Sequence, residues 1–73
     1  MEQVKLPAVT QYGKRELYDR LRGIGTVKVS YRTFRRWLYT TVFVDDPKEK
    51  KRVQNAKILQ PRQVKIIFKE LAG

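Results

Sequence analysis

The sequence predicts a small, mainly α domain built from three helices and one short β-hairpin. Three observations lead there. Apolar residues recur at i, i+3, i+4, i+7 over residues 34–41 and again over 64–71, the period of a helix with one buried face. Between them Thr40-Thr41-Val42-Phe43-Val44 is rich in β-branched and aromatic residues, and Asp45-Asp46-Pro47 follows as a turn signal. With 73 residues, 41% of them hydrophobic, the chain can bury one modest core but has no room for a second domain or a deep cleft.

Residues 1–11 show little pattern, with Val4, Leu6 and Val9 scattered around Pro7. They read as a poorly ordered arm or as a segment that packs Val4 and Leu6 on the core. Residues 12–73 form the folded domain. A first helix is expected over residues 13–22, with Tyr12 packed at its start and Leu17, Leu21 and Ile24 on one face at i, i+4, i+7. Gly23 or Gly25 ends it, since glycine takes the left-handed conformation without a Cβ penalty. The connection over residues 23–28 is longer than the three or four residues of a tight helix-turn-helix, and Val27 is the residue placed to anchor it.

The second helix runs from Ser30 to Thr41. Ser30 is a good N-cap, and Val29 before it is spaced to staple against Phe34. Phe34, Trp37, Leu38 and Thr41 share the core face, with Tyr31 at its edge. Arg32, Arg35, Arg36 and Tyr39 then fall together on another side, within about 100° of arc. Arg35 is nearest the apolar side, so its stem can equally serve packing.

Over residues 42–59 the β-prone run, the turn, the charged stretch Lys48-Glu49-Lys50-Lys51-Arg52 and the apolar Ala56-Lys57-Ile58-Leu59 read as a hairpin with a long basic loop, a wing. The competing reading is a short helix capped by Asp46, with Pro47 in its first position and Glu49 completing a capping-box-like pair. Its weakness is apolar content, because Val53 stands almost alone before Ala56. The last helix is the best-defined segment: Pro61 suits a first turn, and Val64, Ile67, Phe68 and Leu71 mark one face. Gln60 is a mediocre cap, and Ile66 points away between Lys65, Lys69 and Glu70.

Charge narrows the function. Lys and Arg number 17 against 7 Asp and Glu, for a formal net charge of +10. From Arg20 to Val44 there is no acidic residue, while Arg20, Arg22, Lys28, Arg32, Arg35 and Arg36 all carry positive charge. Surfaces that serve only solubility intersperse the two signs, so a one-sign field of this size points to a polyanionic partner. There is no cysteine and no histidine, which removes disulfides, thiolate zinc sites and the commonest general base. The carboxylates read as helix surface (Glu16, Asp19, Glu70), turn (Asp45, Asp46) or charged loop (Glu49), so no enzyme, metal site or cofactor is expected. With no apolar run of membrane-spanning length and no leader-like N-terminus, a cytoplasmic location is expected.

The order of elements, with Tyr12, Glu16 and Leu17, then Ser30, Arg35, Arg36 and Trp37, then Gln63 and Val64, resembles the excisionase and MerR-type DNA-binding domains. More closely, Tyr12-Gly13-Lys14-Arg15-Glu16-Leu17, Arg36-Trp37 and Pro61-Arg62-Gln63-Val64 resemble three blocks of a small uncharacterised bacterial family, over residues 12–73. The resemblance implies a three-helix winged helix-turn-helix fold. The long 23–28 connection departs from that pattern, as does Gln60, where the family tends to carry Ser or Thr.

The expected function is sequence-specific binding of double-stranded DNA, as an excisionase-like architectural factor or a small transcriptional regulator. The helix from Ser30 to Thr41 would enter the major groove, which is wide enough for a helix. Arg32, Arg35, Arg36, Tyr39 and Thr33 would meet base edges and phosphates. Lys48, Lys50, Lys51 and Arg52 on the wing would reach the minor groove or the flanking backbone, while Arg15, Arg20, Arg22 and Lys28 grip phosphates. Trp37 and Phe34 are assigned to the core. A recombinase or transcription protein is a further partner in this reading. No coiled-coil arm is present, which favours a monomer or weak self-association on DNA. The alternative is a basic adaptor for an acidic protein partner, or for RNA, on the same scaffold.

Overall fold

A computed structural model describes residues 6–72. In chain order it comprises β1 (Tyr12–Gly13), α1 (Lys14–Gly23), α2 (Tyr31–Trp37) continuing into a π-helical turn (Leu38–Val42), α3 (Pro47–Asn55), β2 (Ile58–Leu59) and α4 (Pro61–Ala72). Mainly helical with a two-stranded antiparallel sheet, the domain matches the predicted class at that level. Val4 and the rest of the first five residues lie outside the described residues. Leu6, the arm's other apolar anchor, packs against the core.

Each end of α1 is fixed by local chemistry. The Gly13 N–H donates to Glu16 Oε1 at 3.1 Å, and the Lys14 N–H donates to the Lys57 carbonyl at 2.8 Å. At the other end Gly25 takes φ 81°. Its N–H donates to the Arg22 carbonyl and that of Thr26 to the Leu21 carbonyl, the paired bonds of a Schellman stop. Gly25 is therefore the terminator, and Gly23 closes the last helical turn. Val27 beyond it is buried, anchoring the connection as expected. Ile24 does not join Leu17 and Leu21 on the core face. It is 45% exposed, because the helix stops there and turns the residue outward.

Ser30 caps α2, its Oγ accepting from the Thr33 N–H at 3.2 Å. Phe34 and Leu38 are buried and Trp37 packs at the core's edge. Val29 stays 45% exposed, so the staple across the cap buries little. Past Trp37 the helix widens: the Phe43 N–H reaches back to the Leu38 carbonyl, five residues away, at 3.0 Å. The cause lies in the run Thr40-Thr41-Val42. Thr40 Oγ1 donates to the Arg36 carbonyl at 2.8 Å and competes with the backbone ladder, and β-branched side chains crowd the turn. The shift turns Thr41 out to solvent, off the core face where strict helical spacing put it, and brings Phe43 into the core.

The hairpin wing expected over residues 42–59 does not form, and the short-helix alternative is what the structure adopts. Asp46 caps α3, its carboxylate accepting from the Glu49 N–H at 3.1 Å, with Pro47 in the first turn. Two local signals, the Asp46 cap and Pro47, thus outweigh β propensity. Glu49 does not complete the capping box, because its carboxylate accepts from Gln63 while the Asp46 N–H donates to the Phe43 carbonyl. Val53, the apolar residue that looked too solitary to hold a helix, is fully buried. The second apolar run does become a strand, β2, but its partner is β1: Tyr12 pairs with Leu59 and Gly13 with Ile58. Among the described residues the result is four helices around one core, not three helices and a wing.

On α4, Val64, Ile67 and Phe68 are buried and Leu71 packs at the core's edge. Each fully buried side chain of this kind contributes about 1.5–3 kcal/mol of transfer free energy. The weak cap at Gln60 is compensated from inside the helix, where Gln63 Oε1 accepts the Gln60 N–H at 2.9 Å. Ile66 is exposed, as its position between charged neighbours implies. No helix among the described residues is long and apolar enough to cross a membrane.

Candidate nucleic-acid interface

The helical period puts Arg32, Arg35, Arg36, Tyr39 and Thr40 on one side of α2 and its π turn. Lys50 and Gln54 on α3 face them, and together these residues line an open groove of about 310 Å³. A hairpin could not have closed this groove in the same way. Successive turns of α3 place residues i and i+4 on one face, which is how Lys50 and Gln54 arrive together.

Four of the acidic residues are engaged elsewhere. Glu16 accepts from the Gly13 N–H just before α1, and Asp46 caps α3. Asp19 pairs with Arg15 Nε at 3.4 Å. Glu49, 8% exposed, accepts from Gln63 Nε2 at 2.6 Å and pairs with Arg52 at 3.3 Å and Arg62 at 3.4 Å. Among the described residues no ion pair includes Arg32, Arg35, Arg36 or Lys50. Among the described residues, the groove is therefore a wall of positive charge with no ion-paired carboxylate. An open site lined by guanidinium forks, an ammonium, a phenol and a carboxamide presents donors that match phosphate oxygens and polar base edges.

The remaining predicted contacts scatter. Thr33 belongs to the cap, its Oγ1 accepting from Ser30 Oγ at 3.0 Å, and it borders a separate, largely apolar cleft that also includes Lys28. Arg22 donates to Tyr18 Oη, which in turn donates to the Val29 carbonyl. The Arg20 guanidinium lies 5.7 Å from the Tyr12 ring centroid. Lys48 and Lys51 are exposed on α3, and Arg52 is held toward Glu49. Arg35 keeps both expected roles, since it lines the groove while its guanidinium lies 5.4 Å from the Tyr31 ring.

Sequence reasoning missed Lys14 and Gln54. Lys14 is only 7% exposed, and its Nζ donates to Tyr39 Oη at 3.0 Å and to the Gln54 carbonyl at 3.5 Å. It supports the groove from beneath and fixes the Tyr39 ring. Nothing in its own surroundings, Gly13-Lys14-Arg15, marks it as a buried cation.

Comparison of the chain with protein families, with curated proteins and with solved structures finds no match.

Proposed function

We propose that this protein binds double-stranded DNA in a sequence-dependent way, with the outward side of α2 in the major groove. The single observation behind this is the α2–α3 groove, lined by three guanidiniums and an ammonium that, among the described residues, pair with no carboxylate. The helical segment has seven residues of α2 and five of the π turn, about 18 Å in length. A major groove about 12 Å wide admits it. Arg32 and Arg36 read base edges, Lys50 meets a flanking phosphate, and exposed Lys48 and Lys51 add a diffuse positive field.

The sequence resemblance to excisionase and MerR-type domains in Tyr12, Glu16, Leu17, Arg36 and Trp37 supports the same reading, although the wing it implied is replaced by α3. An architectural or regulatory role at a DNA site follows from it. The test is selection of bound fragments from a random duplex pool, followed by salt titration of a selected duplex. Arg32, Arg35, Arg36 and Lys50 neutralising four phosphates at most would give a log K against log salt slope of about −3.6, shallower where an arginine contacts a base instead. Equal affinity for duplex and for an acidic polypeptide, with no sequence enriched from the pool, would replace this reading with that of an adaptor for an acidic protein.

A further inference from the structure

A second basic groove adjoins the first. Lys14 and Arg15 at the start of α1, Lys57 just before β2, and Tyr31 and Arg35 on α2 line an open space of about 380 Å³. Arg35 borders both grooves. The β1–β2 pairing creates this second groove, because the Lys14 N–H bond to the Lys57 carbonyl holds two residues together that are far apart in the chain.

Its cations are ordered. The Tyr31 ring is flanked by two guanidiniums, Arg15 at 4.8 Å and Arg35 at 5.4 Å from its centroid. Stacking of this kind holds planar donors in place while leaving their edges open. Lys14, buried, directs its hydrogen bonds to two neutral oxygens and to no carboxylate. Both oxygens belong to residues that line the first groove, so Lys14 lies where the two meet. Among the described residues, Asp19 is the one carboxylate paired with any of these cations. That pair with Arg15 is exposed on both sides and so is weak.

We propose that this groove is a second phosphodiester seat, continuous with the first through Arg35, so that a nucleic-acid backbone is held past α2 by Arg15, Lys57 and the buried charge of Lys14. It rests on the duplex-binding reading and extends it to residues on α1 and before β2. Lys57 supplies a point charge, and the stacked guanidiniums supply paired donors for phosphate oxygens.

The experiment is fluorescence anisotropy of a short labelled duplex over a range of salt, with the unaltered chain, Lys57→Ala, Lys50→Ala, the double variant, and Lys65→Ala on the exposed side of α4. Lys57 and Lys50 are surface side chains outside the core, and circular dichroism checks that each variant is folded. Lys57→Ala is expected to make the log K against log salt slope shallower by about 0.9, the amount for one phosphate. Over a fourfold rise in salt it then loses about 3.5-fold less affinity than the unaltered chain. Lys50→Ala does the same, the double variant is shallower by about 1.8, and Lys65→Ala leaves the slope unchanged. If Lys57→Ala behaves like Lys65→Ala while Lys50→Ala still flattens the slope, the second seat is refuted and duplex binding through α2 stands. A double variant no shallower than Lys50→Ala also refutes it. Absence of salt-sensitive duplex binding by the unaltered chain removes both proposals together.

Discussion

Glu49 is the residue whose removal tests the architecture most directly, because it ties α3, and with it one wall of the interface, to α4. Its carboxylate accepts from the buried amide of Gln63 at 2.6 Å and pairs with Arg52 and Arg62. Glu49→Ala leaves Gln63 Nε2 without its acceptor, at 3% exposure of that residue, which costs about 1–3 kcal/mol. The two arginine side chains are 61% and 64% exposed, so each lost pair adds only about 0.5 kcal/mol. The total is about 2–4 kcal/mol. In a domain of 73 residues that lowers the unfolding temperature by on the order of 10–30 °C. Urea denaturation followed by far-ultraviolet circular dichroism measures it, with the m-value unchanged if the variant keeps its fold. Glu49→Gln retains an acceptor and should cost less, about 1 kcal/mol. Adding Gln63→Leu to Glu49→Ala removes the stranded amide but also the acceptor of the Gln60 N–H, so it should recover the desolvation cost less that of the lost cap bond. A cost below about 0.5 kcal/mol for Glu49→Ala, or equal costs for Ala and Gln, would show that the buried hydrogen bond does not hold the two helices together.

Two further outcomes follow from the same structure. Asp46→Ala removes the cap that decides between α3 and a strand, and is expected to cost about 1 kcal/mol in denaturation while Asp46→Asn costs less. If Asp46→Ala is neutral, Pro47 and Glu49 suffice to start the helix. On the binding side, Arg32→Ala should change which duplexes are selected from a random pool, whereas Lys51→Ala should weaken all of them evenly. Equal, sequence-blind losses from both would show that α2 makes no base contacts.

Much of the fold was legible because its determinants are local. The Ser30 cap, the Gly25 stop and the spacing of Val64, Ile67, Phe68 and Leu71 each work through residues within a turn or two of one another. The error over residues 42–59 arose where two local signals conflicted. β propensity in Thr40-Thr41-Val42-Phe43-Val44 argued for a strand, and the cap Asp46-Pro47-x-Glu49 argued for a helix. Propensity of the first kind reports fit to a half-buried sheet surface, and no sheet is available there to receive it. The cap acts on the backbone at hydrogen-bonding distance and needs no partner from elsewhere.

By itself, then, the sequence determined where three of the helices start, which sides of them are apolar, and that positive charge dominates the stretch from Arg20 to Val44. Tertiary structure alone decided which charges meet. Lys50 and Gln54 reach the arginine side of α2 only because α3 packs against the π turn that continues it, and Lys57 reaches Lys14 only because β2 pairs with β1. Periodicity assigns a residue to a side of its own helix, but a groove is made by two elements. Their approach is set by the burial of Val53, Leu59 and Phe43 in a shared core, which no spacing along the chain encodes.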